Sequence, residues 1–179
     1  MVDVLGHLGM ALIWLAPAWF VFDRRKTALT FVLVGFWFGM LPDIDLYLSN
    51  WFPQSIHHHG VVHTILAVTI LAAVLGPIVG GVLKASLGDS EWFSPEATDS
   101  AYGVGFVAVW VAGLSHLFAD MLSAPDIASP IEPLWPLYNG QIVFVDVLYY
   151  TSVWATWGLL GLGILVNVAF WAAADDEPA

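Results

Sequence analysis

Residues 60–83, "GVVHTILAVTILAAVLGPIVGGVL", contain no Asp, Glu, Lys or Arg. A helix needs about 20 predominantly apolar residues to span the ~30 Å hydrocarbon core of a bilayer, and this run exceeds that length. Four further apolar segments cover residues 4–22, 27–41, 101–119 and 142–174. The last is also long enough to span, and 101–119 falls just short. The first two are shorter and carry Pro17 or end at Pro42, so length alone would also suit buried helices. With the rest of the bundle in the membrane, they are expected to span as well. The expected fold class is therefore all-α: a polytopic membrane helical bundle of about five helices, forming a single domain over residues 1–179.

Composition agrees with a multi-pass cell-membrane protein whose surroundings are a lipid bilayer. Hydrophobic residues make up 59% of the chain, and four Lys plus Arg face fifteen Asp plus Glu for a net charge of -11. Mean hydropathy is +0.80. A nucleic-acid groove requires a basic stripe, so direct nucleic-acid binding is not expected. The chain has no Cys, which leaves His and carboxylate as its metal ligands. No basic segment precedes the first apolar run, and "RRK" at 24–26 follows it, so that run reads as a retained helix rather than a cleaved signal.

Successive spanning helices alternate direction, which sorts the connecting segments onto two faces. One face receives 23–26, 84–100 and the tail, and with them Arg24, Arg25, Lys26 and Lys84. Basic residues favour the cytoplasmic side, so this face is expected inside. The other face receives the N-terminus, 42–59 and 120–141. His7, Asp43, Asp45, the cluster His57, His58, His59 and His63, and the pair His116 and Asp120 all lie on or near it. A metal site is therefore expected at one end of the bundle, on the extracytoplasmic side.

The spacing within these motifs suits shared coordination. His116 and Asp120 in "HLFAD" are four apart, so both project from one helix face. In "LPDIDLY" an extended segment after the proline would aim Asp43 and Asp45 the same way. Imidazole plus carboxylate suits a divalent metal, zinc first, with manganese and iron as alternatives. Taken singly, each motif has a plainer reading: a helix-end hydrogen bond, a solvated turn, a polar residue near the interface. Taken together, ionisable groups gathered at one membrane end point to function, because such groups are costly near hydrocarbon.

"GHLGMAL", "LPDIDLY", "HHGVVHTIL" and "GLSHLFADML" followed by "PLWPL" resemble, in order and spacing over roughly residues 5–140, the YdjM-like family of membrane-bound metal-dependent hydrolases. That family is described as LexA-binding and inner-membrane-associated, and it is distantly similar to zinc-dependent phospholipase C and single-strand nucleases. The resemblance implies an all-helical core with metal ligands His7, Asp43 or Asp45, His58, His63, His116 and Asp120. Its usual segment is His-Arg-Gly-x-Thr-His-Ser. Here His58 and His63 match the two histidines, His59 stands in the arginine position, and Val62 and Thr64 replace threonine and serine. The missing arginine removes a candidate phosphate clamp. Helical spacing instead pairs His59 with His63, so His58 and His59 compete as ligand, depending on where the helix begins.

The resemblance implies hydrolysis of a small-molecule or lipid phosphoester by a metal-activated water, with Asp43 or Asp45 accepting a proton and Ser115 or Thr64 holding imidazoles. There is no H-E-x-x-H helix, G-x-S-x-G elbow or Walker loop. A metal transporter or sensor is the alternative, and it would carry ligands into the membrane interior. A scaffold with a structural metal is a third reading. The proline-rich segment 121–141 is read as a joiner, with a stiff loop over the site as its other reading. Asp146 is expected to face the bundle or an aqueous cavity, and Trp51, Trp92 and Trp135 to act as interfacial anchors.

Overall fold

The computed structural model describes residues 2–143, 145–150 and 152–175. Among them it is all helical, with seven α-helices and no β-strand. The five apolar runs become α1 (Val4–Leu15), α2 (Arg25–Phe38), α4 (Ile65–Leu87), α6 (Ala101–Met121) and α7 (Leu159–Ala173). Two short helices lie in the connections, α3 (Ile44–Trp51) and α5 (Pro95–Asp99). Three helical stretches are long and apolar enough to cross a membrane: Ile65–Leu87, Ala101–Met121 and Trp154–Ala173.

Local chemistry fixes the boundaries. The Asp3 carboxylate caps α1 by accepting from Gly6 N at 2.9 Å, and Pro17 turns the chain out of α1 into a short 3-10 segment, Ala16–Phe20. Thr64 caps α4 by accepting from Ala67 N, so α4 begins at Ile65 and Val61–His63 form a separate 3-10 turn. The apolar run from 60 is thus not helical throughout. Ser94 caps α5 in the same way, with Pro95 at its first position.

Two expectations change. Asp43 and Asp45 do not lie on an extended segment: Pro42 initiates a turn in which Ile44 N donates to Leu41 O and Asp45 N to Pro42 O, leading directly into α3. The run 142–174 is not one helix either. Ala124 N donates to Leu148 O and Val147 N to Leu122 O, so the backbone around Val147 and Leu148 pairs with the strap after α6. Helical structure resumes only near Val153, through a π-turn, Trp154–Gly158, that leads into α7.

Helices α1, α2 and α4 pack around the central helix α6, and α7 packs against α1. A Cβ on Gly105 would fall 2.6 Å from Gly80 N and against the backbone of Gly76. The Gly76-x-x-x-Gly80 spacing therefore lets α4 and α6 touch backbone to backbone. Gly9 does the same for α1 against Leu159 at the start of α7, where a Cβ would meet the backbone at 2.5 Å. The outer face of α4 presents Leu66, Ile70, Val74, Ile78 and Val82, each at least half exposed. An apolar stripe at that spacing suits lipid rather than water.

This arrangement gives the bundle two chemically different ends. At one, Lys26 pairs with Glu91, Ser94 N donates to Thr27 Oγ1, and Arg25 Nη2 donates to Ala174 O at 2.7 Å. The basic segment, the 84–100 connection and the start of the tail thus meet as the sorting of segments anticipated. At the other end lie the start of α1, the end of α2, α3, the histidine loop, and the end of α6.

Candidate metal centre

The His and Asp residues come from α1, α6 and the turns leading into α3 and α4, all at one end of the bundle. His7 comes from the second turn of α1, Asp43 and Asp45 from the turn into α3, and His63 from the 3-10 turn before α4. His116 and Asp120 come from the last turns of α6. All seven residues assigned from the sequence converge into overlapping His and Asp groups able to hold a metal ion, and His59 joins them. His57 is exposed and stands outside those groups. His7, Asp45, His63 and His116 are at most 1% exposed, so water does not satisfy them.

The tightest grouping has four atoms. His116 Nε2 is 3.2 Å from His63 Nε2 and 3.2 Å from Asp120 Oδ2. Asp43 Oδ1 lies 3.4 Å from both imidazole nitrogens, and His63 Nε2 is 3.7 Å from Asp120 Oδ2. Tetrahedral ligands at 2.0–2.1 Å from a zinc ion stand about 3.3–3.4 Å apart. These five spacings, each of which involves at least one of the two imidazole nitrogens, bracket that value.

The remaining ring nitrogens explain the orientation. His116 Nδ1 donates to Gly39 O at 2.7 Å. His63 Nδ1 lies 2.9 Å from Asp45 Oδ2, and His58 Nδ1 donates to Asp45 Oδ1 at 2.9 Å. With its proton held at Nδ1 by Gly39 O, His116 presents a lone pair at Nε2 to His63 Nε2, 3.2 Å away. Asp43 Oδ1 and Asp120 Oδ2 are buried without a hydrogen-bond donor among the described residues, which is costly unless something positive fills the space. The donor set and the orphaned oxygens both fit a divalent metal, and imidazoles fixed by a carboxylate or a carbonyl are typical of metal ligands.

Charge in the connecting segments is tuned accordingly. Burial would raise the Asp43 carboxyl, but the facing imidazoles of His116 and His63 hold it well below the usual carboxylate range. Asp45 is also held low against its burial, by His58 and His63. Burial pulls His63 down, yet Asp43 and Asp45 outweigh it and raise the imidazole. Burial pushes His59 down to about 4, so that ring is neutral at pH 7.

Several residues lie beside the four atoms. His7 stacks on His116 with ring centroids 3.6 Å apart, and its Nε2 is 3.5 Å from Asp120 Oδ1. His59 adopts a positive φ of 61°, which is uncommon outside glycine. That turn sends Nδ1 to Ser129 O and leaves Nε2 3.6 Å from Asp120 Oδ2. A cleft of about 440 Å³ reaches this corner from outside, lined by His57, His58, His59, Ser129, Glu132 and Trp135 among others.

Sequence reasoning missed three features. The carbonyls of Gly39 and Ser129 hold imidazoles, a role assigned instead to Ser115 or Thr64. Ser115 Oγ donates to Ala112 O, and Thr64 is occupied capping α4. The one available signal was "FGMLP", where the end of α2 leaves carbonyls unpaired. The segment 121–141 does more than join helices: Ser129 O meets His59, and Pro133 O accepts from Ile65 N. Asp146 is exposed at a smaller cleft beside Asp120 and belongs to none of the metal-capable groups.

The chain belongs to the YdjM inner membrane protein family. The model of that family matches residues 1–176, nearly the whole chain and every element of the site. No curated protein and no solved structure matches it. Membership makes this a membrane protein, which agrees with its three span-length helices, and its buried His and Asp cluster could bind a metal.

Proposed function

We propose that this YdjM-family chain is a membrane-bound metal-dependent hydrolase, a phosphoesterase, with zinc held by Asp43, His63, His116 and Asp120. The observation that carries this reading is that His63 Nε2 and His116 Nε2 lie 3.2 Å apart and each lies 3.2–3.7 Å from both Asp43 Oδ1 and Asp120 Oδ2. A bound divalent cation would polarise a phosphoryl oxygen and lower the pKa of water towards ~7.

In this reading the chain's residues divide the work. Asp43 and Asp120 neutralise the cation, and Asp45 positions His63 and His58. The family resemblance implied proton transfer by Asp43 or Asp45, but both carboxylates lie against imidazoles. His59 is better placed: neutral, unpartnered at Nε2, held at Nδ1 by Ser129 O, and lining the cleft. It stands where the family has arginine, so a proton-handling group replaces a fixed charge at that position. His7 keeps Asp120 and His116 in place by its contact with one and its stacking on the other.

The alternative, a metal transporter or sensor, expects ligands along the membrane interior. The metal-capable groups among the described residues all lie at one end, which favours a site opening to the surface. Metal analysis of detergent-purified protein, followed by chelator-sensitive cleavage of a generic phosphoester panel, tests the proposal. Metal in the wild type, its loss in His116→Ala, and ester cleavage in a metal-loaded sample are expected. Cleavage of no ester despite bound metal would shift the reading to ion handling.

A further inference from the structure

At the end of the bundle opposite the metal centre, a cleft of about 410 Å³ runs between α2 and α7. Its wall is apolar along most of its length: Leu29, Val32 and Leu33 from α2 face Ile164 and Val168 from α7. Asn167 interrupts that wall without leaving a polar demand. Its Nδ2 donates to Leu12 O and Gly163 O, and its Oδ1 accepts from Trp19 Nε1, each at 2.9 Å. At the mouth stand Arg25 and Lys26, each beside a tryptophan. The Arg25 guanidinium lies 5.3 Å from the ring centre of Trp171, and the Lys26 ammonium 5.7 Å from that of Trp92.

The dimensions match one leaflet. Arg25 and Leu33 are eight residues apart on α2, about 12 Å along the helix axis, a little less than half of the ~30 Å hydrocarbon core. The cations therefore sit at headgroup depth when the apolar wall lies among acyl chains, and the flanking tryptophans take the position that interfacial rings favour. The cleft adjoins the segments carrying all four Lys and Arg of a chain with net charge -11. Basic pockets between membrane helices on the side favoured by positive charge recognise anionic headgroups.

We propose that this cleft is a binding site for an anionic phospholipid, with one acyl chain along Leu29, Leu33, Ile164 and Val168 and the headgroup phosphate at Arg25 and Lys26. Glu91 already pairs with Lys26, and the phosphate competes with it. That pair is largely exposed, with side chains 47% and 69% accessible, so it yields readily. Arg25 keeps its bond to the Ala174 carbonyl, which ties an occupied cleft to the end of α7.

Native mass spectrometry of the full chain, released from detergent with dioleoyl phosphatidylglycerol or dioleoyl phosphatidylcholine added in turn, tests this. The wild type should retain phosphatidylglycerol preferentially. The double substitution Arg25→Gln with Lys26→Gln should reduce that retention about 30-fold, toward the phosphatidylcholine level. Glu91→Gln, which releases Lys26, should raise retention of phosphatidylglycerol, an outcome that misfolding does not imitate. Val168→Trp, with both charges intact, should block the cleft. Equal retention of the two lipids by the wild type overturns the proposal. A dimer dissolved by Val168→Trp also overturns it, because a second copy would then be the occupant.

Discussion

Replacing Asp45 with Asn separates a ligand from a positioning residue. Asp45 is fully buried, with one oxygen 2.9 Å from His63 Nδ1 and the other accepting from His58 Nδ1 at 2.9 Å. It contributes none of the four atoms that surround the candidate metal position. Asn keeps the shape and one acceptor but loses the charge that fixes both rings. Losing such a partner typically lowers metal affinity about 10- to 100-fold, or about 1.4–2.7 kcal/mol. His116→Ala removes a ligand nitrogen and should abolish stoichiometric metal. Elemental analysis after dialysis, with competition against a chromogenic chelator, distinguishes the two. Asp45→Asn is expected to load fully at high metal and to release it sooner. Loss of metal as complete as in His116→Ala would make Asp45 a ligand and refute this assignment. Near-zero metal in the wild type as well would remove the metal centre altogether.

Removing a bound metal with chelator should destabilise the protein: at a free concentration about 100 times Kd, binding adds about 2.7 kcal/mol, or about 5–10 °C in melting temperature for a chain of this size. An unchanged melting curve would argue against a site coupled to folding. Metal-free protein should be most stable near pH 6.5, read from melting curves between about pH 4 and about pH 9. His63, raised above 6.5, contributes stability that is complete below that pH and lost as pH climbs through its folded value. His59, lowered to about 4, makes stability fall as pH drops from 6.5. Asp43 and Asp45, held below 3.8, add a further loss at more acid pH. A steady rise in stability across the range would contradict these signs. Gly105→Ala should cost about 1–3 kcal/mol through overpacking, since its Cβ would lie 2.6 Å from Gly80 N; an unaltered melting temperature would place the α4–α6 crossing elsewhere. His59→Gln should leave metal content unchanged while reducing turnover of any ester the wild type cleaves, and equal turnover would return proton handling to the carboxylates.

Apolar run length revealed the helices because hydrocarbon imposes a length that water does not. It failed at 142–150, where "IVFVDVLYY" reads as the start of a spanning run but the backbone around Val147 and Leu148 pairs with residues 122 and 124 instead. Hydropathy measures only where a segment can be buried. Alternation of helices gathered His7, Asp43, Asp45, His63, His116 and Asp120 at one end without any knowledge of contacts. Which atoms face one another was beyond it, because that depends on turns: the one at Pro42 that starts α3, and the positive φ at His59. Spacing arguments assumed one regular element through each motif, and both acidic and histidine motifs fold across an element boundary.

That boundary also explains why His58 and His59 were hard to rank. With α4 starting at Ile65, a separate turn carries His63, so the four-residue interval between His59 and His63 no longer means a shared helix face. His58 turns towards Asp45, and His59 turns towards Asp120 and the cleft. A loop can give neighbouring histidines different partners within one site, although their rings lie only 4.3 Å apart. The four-atom grouping needs only His63 from this segment, which leaves both neighbours available: one to anchor Asp45, the other to meet whatever enters the cleft.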